Sequence, residues 1–185
     1  MKEEFHLIDQ LEMDQFLSRD EWIFLIEHRS DALERYLFEK SEAVRIREYG
    51  HDIYIRGLIE ISNCCRNNCY YCGIRKGNPN IERYRLSRKS ILDCCKQGYE
   101  LGFRTFVLQG GEDNWFTTKR MAEIVAEIHS HFPDCAITLS IGERSRESYQ
   151  ALFDAGADRY LLRHETYDPV HYRRLHPDSL SAVHR

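Results

Sequence analysis

Thr105-Phe106-Val107-Leu108-Gln109-Gly110-Gly111-Glu112-Asp113 is a short apolar run that stops in two glycines and two acids. The helix that follows Thr118 places Met121, Ile124, Val125 and Ile128 on one face, so the segment reads as one strand–helix unit. The same unit recurs on both sides of it. Upstream, Ile53-Tyr54-Ile55 through Ile59-Glu60-Ile61 reads as a strand, followed by a loop from Ser62 to Ser87 and a helix over about 89–101 that ends near Gly102. Downstream, Ala136-Ile137-Thr138-Leu139 reads as a third strand, with a helix from about Arg146 to Ala155. Arg159-Tyr160-Leu161-Leu162 is the fourth, after which Asp168-Pro169 caps and opens a short helix that Pro177 helps to stop. Four such units in succession predict an α/β fold with parallel strands and right-handed crossovers.

Four units are half of an eightfold barrel, which takes about 250 residues. Two architectures fit: a small open α/β sheet, or the amino-terminal half of a TIM-type parallel barrel whose remainder is missing. Ser181-Ala182-Val183-His184-Arg185 shows no stopping signal, and the half barrel is the favoured expectation. Its fourth strand would then have an unpaired, apolar edge, which is an aggregation hazard. Residues 51–185 would form this unit, preceded by a helical region over 1–50. In that region Ser18 and Glu21 make a capping box, with Leu17 and Trp22 as its hydrophobic staple, so a helix should start at Arg19. A second should run from Asp31 to Tyr49 and close at Gly50.

Composition narrows the function classes. The 185 residues carry 26 Lys plus Arg against 30 Asp plus Glu, a formal charge of −4, with no block of one sign, so no nucleic-acid partner is expected. No apolar run approaches the ~18 residues of a membrane span. Met1-Lys2-Glu3-Glu4-Phe5 has neither the basic nor the apolar part of a secretory signal, so the reducing cytoplasm is the expected compartment. Seven cysteines there call for a metal or redox explanation before a disulfide one.

Three of them, in Cys65-Arg66-Asn67-Asn68-Cys69-Tyr70-Tyr71-Cys72, are spaced C-x3-C-x2-C in the loop after the first strand. Soft thiolates so close together suit zinc or an iron–sulfur cluster. A structural zinc site would want a fourth Cys or His nearby, yet Cys64 is sterically turned away by its neighbour and the loop has no histidine. Three ligands on a four-iron cluster leave one iron open to a small molecule; zinc and a chance spacing remain the alternatives. Cys94, Cys95 and Cys135 read as small apolar residues.

The other strand ends are also polar. Gln109-Gly110-Gly111-Glu112-Asp113 offers bare backbone and a carboxylate, or simply a tight turn with a solvated acid. Thr138-Leu139-Ser140-Ile141-Gly142-Glu143 and Arg163-His164-Glu165-Thr166 end the third and fourth strands, at the carboxyl ends where barrel enzymes carry their chemistry.

The C-x3-C-x-aromatic-C pattern, with Tyr71 as the aromatic, resembles the radical S-adenosylmethionine superfamily. The longer stretches 67–75, 81–87, 103–113 and 158–166 resemble the HydE maturases of [FeFe]-hydrogenase, with biotin synthase and methylornithine synthase as near relatives. The resemblance covers about residues 50–185. It implies a [4Fe-4S] cluster on Cys65, Cys69 and Cys72, and S-adenosylmethionine bound at the open iron and cleaved to a 5′-deoxyadenosyl radical. Tyr71 would lie beside that cofactor, Gly110, Gly111 and Glu112 along its methionine part, Ser140 near its adenosyl group, Glu165 at its ribose and Arg185 at its carboxylate. Thr138, Arg159 and Arg163 would face the barrel interior and hold the acidic groups of a small-molecule substrate. For the two arginines the plainer reading is a salt bridge within a barrel layer, and His164 reads as structural. Other hydrogenase maturation proteins and an electron donor are the implied partners. HydE proteins continue through a second barrel half, in some members with a second cluster, so turnover by these residues alone is not expected. A binding module that only stores an iron–sulfur or zinc centre is the competing reading from another class.

Overall fold

The computed structural model describes residues 3–177. The chain divides into two compact units, with the boundary between Tyr54 and Ile55. The first holds α1 (Glu3–Asp14), α2 (Arg19–Glu27) and α3 (Asp31–Tyr49). At the start of α2 the Ser18 hydroxyl accepts from the Glu21 N–H, and the Glu21 carboxylate accepts from the Ser18 N–H at 2.6 Å. Leu7, Ile8, Leu17 and Leu33 are its buried apolar residues. Gly50, at φ 67°, closes α3.

The second unit alternates β1 (Gly57–Ser62), α4 (Arg88–Glu100), β2 (Thr105–Gly110), α5 (Thr118–His131), β3 (Ala136–Ser140), α6 (Arg146–Asp154), β4 (Arg159–Tyr160) and α7 (Pro169–Leu175). The strands form one parallel sheet in the order β1-β2-β3-β4. Each of α4 to α7 begins at a side-chain cap, Ser87, Thr117, Ser145 and Asp168 in turn, so every loop from a strand ends in a polar residue that satisfies the first free N–H groups. Strand alternation then sorts the side chains. Ile59, Ile61, Phe106, Leu108, Ile137 and Leu139 pack with Ile91, Met121, Ile124, Val125, Ile128 and Leu152 of the helices to make the core. The intervening residues, Leu58, Glu60, Val107, Gln109, Thr138, Ser140 and Arg159, fall on the other, inner face.

Two strands are shorter than expected. Ile53, Tyr54 and Ile55 are exposed and lie outside β1, because Gly57 already pairs with Phe106 near the start of β2 and nothing remains for them to pair with. β4 pairs through Arg159 and Tyr160, and the Leu161 N–H still donates to Leu139, but Leu162 has left the sheet. An apolar dipeptide makes a strand only where a neighbouring backbone accepts it. Cys95 and Cys135 are buried core residues, as expected, and burial, with Cys94 and Cys135 nearby, pushes the Cys95 thiol up to about 12.

Candidate cluster and cofactor site

The carboxyl ends of the four strands open into a cleft of about 360 Å³. Its wall carries Cys65, Cys69, Tyr71 and Cys72 from the loop after β1, Gly110 at the end of β2 with Gly111 and Glu112 just beyond it, Ser140 from β3, and Arg163 and Glu165 from the segment after β4. Residues a hundred positions apart are thereby brought to one place.

The cysteine loop is shaped by bonds within the protein. The Arg83 guanidinium donates to the carbonyls of Asn63 (2.6 Å), Ile74 (2.8 Å), Arg75 (2.6 Å) and Asn78 (3.3 Å). Asn63 donates to the Glu82 carbonyl and accepts from the Tyr84 N–H, both at 2.7 Å, while Asn68 accepts from the Gly77 N–H. Among the described residues no three His, Cys, Asp or Glu side chains close on a point for a single ion; the three thiols share the cleft instead. Cys64 turns aside, its thiol facing the Tyr84 carbonyl at 3.7 Å.

The two glycines at the end of β2, Gly110 and Gly111, serve this loop more directly than they serve a ligand. A Cβ on Gly111 would lie 2.3 Å from the Cys64 carbonyl oxygen and 2.7 Å from the Cys65 Cβ, and one on Gly110 would lie 3.1 Å from the Ser62 oxygen. The loop rests on bare backbone, and the Arg66 N–H donates to the Glu112 carbonyl at 3.0 Å to fasten it there. Glu112 itself is confined. Arg66 donates to its Oε2 through Nη2 at 2.9 Å and Nε at 3.2 Å, and its side chain lies over Gly142, at φ 79°, where a Cβ would be 2.0 Å from the Glu112 Cγ. The result is a carboxylate at 12% side-chain exposure held on the cleft wall.

Next to it, Asp113 is buried at 5% exposure and accepts from Arg85 at 2.6 and 3.1 Å, Ser62 at 2.8 Å and the Trp115 N–H at 3.0 Å. Burial alone would raise its carboxyl; these donors outweigh that and hold it below the usual value of 3.8. Glu165 reaches the wall in a left-handed backbone conformation, φ 67°, a strained state for glutamate and one that clusters at functional sites. The Tyr71 hydroxyl is pushed up by burial and then by the negative groups Glu165, Cys69 and Cys72.

The substrate residues inferred from sequence separate. Arg163 is on the wall. Thr138 and Arg159 are in register with each other on the inner face but are not on the wall; Thr138 is 6% exposed and its Oγ1 has no hydrogen-bond partner among the described residues. Arg185 lies outside the described residues. Arg66, Arg83, the Arg85–Asp113 pair and Gly142 were not singled out by sequence reasoning. Each stood inside a stretch that the sequence marked for other residues, Arg66 in the cysteine loop, Asp113 after the double glycine, Gly142 after the third strand, and Arg83 and Arg85 in one longer motif.

A solved methylornithine synthase superposes with a TM-score of 0.80 at 26% identity, covering 94% of this chain and 52% of that one. The maturase HydG of [FeFe]-hydrogenase from Carboxydothermus hydrogenoformans superposes with a TM-score of 0.82 at 30% identity, over 96% of this chain and 42% of that one. In sequence, the [FeFe]-hydrogenase maturase subunit HydE of Thermotoga maritima is 44% identical over 143 residues, which is 77% of this chain and 40% of that protein. The chain thus spans about two fifths to half of these relatives, and its four-stranded parallel sheet corresponds to about half of a radical S-adenosylmethionine barrel. The profile of the Radical SAM superfamily runs from residue 59 to residue 183, through every strand end that builds the cleft, and the chain belongs to that superfamily.

Proposed function

We propose that Cys65, Cys69 and Cys72 hold a [4Fe-4S] cluster, that S-adenosylmethionine binds at its open iron, and that the chain acts in maturation of the [FeFe]-hydrogenase active site. The observation that carries this is that three thiols of one loop, a confined carboxylate and Glu165 line one cleft at the strand ends. The donor set fits such a cluster, since one loop places three soft thiols on the same cleft wall. When bound, the cluster supplies the electron that cleaves the cofactor's carbon–sulfur bond. Glu112 would receive the cofactor's amino group with Arg66 limiting its movement, and Glu165 would accept from the ribose hydroxyls. Tyr71 and Leu161 would exclude water from beside the adenosyl part. Arg163 would bind an acidic group of a small-molecule substrate, with Arg159 and Thr138 below it on the inner face.

The 44% identity to a HydE protein favours hydrogenase maturation over methylornithine-type chemistry, which shares the fold. An electron donor and other maturation proteins are the proposed partners, and the cytoplasm the proposed compartment. Among the described residues no helix is long and apolar enough to cross a membrane.

Anaerobic reconstitution should load about four irons per chain. Adding S-adenosylmethionine should change the electron paramagnetic resonance spectrum of the reduced cluster. Glu112→Ala should keep the iron but need roughly tenfold more cofactor for the same change, a loss of about 1.4 kcal/mol, as expected for one charge-assisted hydrogen bond. A spectrum indifferent to the cofactor would leave only a storage module.

A further inference from the structure

Behind the cysteine loop lies a contact that the proposed chemistry has not used. His176 follows α7 and is 3% exposed. Its ring stacks on the buried Tyr172 ring, with centroids 4.0 Å apart at 20°, and the Tyr70 N–H donates to the Leu175 carbonyl at 3.0 Å, so the end of α7 is bonded to the loop. The His176 Nδ1 is 2.8 Å from the Tyr172 carbonyl, and its Nε2 is 2.7 Å from the Tyr71 hydroxyl. A carbonyl can only accept, so Nδ1 bears the hydrogen; in the neutral ring Nε2 is then the acceptor and the Tyr71 hydroxyl the donor.

That assignment matters because Tyr71 and Cys69 lie two positions apart on the same cleft wall, and the Cys69 thiol is among the groups that push the Tyr71 hydroxyl up. A hydroxyl has one hydrogen. Given to His176, it is not available to the sulfur. Hydrogen bonds to ligand sulfur stabilise the more negative, reduced state of an iron–sulfur cluster and raise its potential. We propose that His176 is a positioning residue for the cluster: by accepting the Tyr71 hydrogen it keeps that hydrogen off the Cys69 thiolate and holds the cluster at low potential. The inference rests on the cluster reading above. It also gives the Tyr71 ring a fixed place on the cleft wall, with its edge against the His176 ring at 5.3 Å and 82°.

The test is a redox titration of the reconstituted protein and four variants, followed by electron paramagnetic resonance. His176→Phe keeps a ring to stack on Tyr172 and removes the acceptor. It should move the midpoint positive by about 59 mV, a tenfold change in the reduced-to-oxidised ratio. His176→Gln retains an acceptor and should stay near the parent value. Tyr71→Phe, which has no hydroxyl, should also stay near it, and Tyr71→Phe should cancel the shift when combined with His176→Phe. A purely structural His176 would lower iron content or melting temperature without this pattern. An unshifted His176→Phe, or a shift that survives in the double variant, overturns the proposal. Should His176→Phe hold no cluster, Tyr71→Phe decides alone: a midpoint below the parent's would mean that the hydroxyl already donates to Cys69. A parent chain that takes up no iron would instead defeat the cluster reading itself.

Discussion

Gly111→Ala should yield a folded chain that holds no cluster. Gly111 is not required for its backbone angle, since its φ is not in the left-handed region. It is required for space: the added methyl would sit 2.3 Å from the Cys64 carbonyl oxygen and 2.7 Å from the Cys65 Cβ, both part of the ligand loop. Backbone cannot rotate out of the way as a side-chain tip can. Forcing such an overlap costs about 1–3 kcal/mol, and the loop yields before the core does, because the strand beneath is packed on both helices and neighbours. Cys65 is then displaced relative to Cys69 and Cys72. Iron per chain after anaerobic reconstitution should fall from about four to below about one, with the far-ultraviolet circular dichroism unchanged. Gly73 is the control, since a Cβ there meets nothing within 4 Å, and Gly73→Ala should load fully. A fully loaded Gly111→Ala would mean that the loop does not rest on β2 in the way described.

Asp113→Ala should be strongly destabilising for the second unit. It removes the acceptor shared by Arg85, Ser62 and the Trp115 N–H at a site where the carboxylate is 4% exposed. Breaking a buried pair from one side costs about 3–5 kcal/mol. Arg85 is 43% exposed and regains some water, so the lower end, about 3 kcal/mol, applies. In a chain of this size that is a fall in melting temperature of about 6–12 °C. The pH dependence follows from the same bonds. Asp113 is held below 3.8 in the folded state, so its contribution is fully present above that pH and is lost as the pH falls through the lower folded value. Denaturant midpoints measured from neutral pH into acid should therefore fall more steeply in the parent than in Asp113→Asn. Parallel curves would show that Asp113 is not a source of acid sensitivity.

The parts of this molecule that were legible in the sequence are those that depend on neighbours along the chain. Met121, Ile124, Val125 and Ile128 announce a helix face by spacing, Ser18 and Glu21 a helix start, and Cys65, Cys69 and Cys72 a loop whose three thiols reach one cleft. What was not legible depends on partners distant in sequence. Ile53-Tyr54-Ile55 has the composition of a strand, but pairing decides strands, and β2 begins too late to accept it. Gly111 looked like an opening for a ligand because its true neighbours, Cys64 and Cys65, are 47 and 46 positions away. His176 gave no sign at all, being 105 positions from Tyr71. Thr138 and Arg159 were expected at the substrate because of the family resemblance; they pair with each other across β3 and β4, but a motif carries no information about depth, and neither lies on the wall of the cleft.

Arg83 has a consequence for how the proposed cluster would come and go. One guanidinium spans four carbonyls of the segment 63–78 and so fixes the receptacle with the protein's own bonds. Small zinc domains behave differently, since in them the metal is what folds the ligands together. Here a cluster could arrive ready-made from a carrier and find its berth already formed. If oxygen later destroyed it, the empty berth would keep its shape and accept a replacement, so that the polypeptide would outlast many of the inorganic groups it carries.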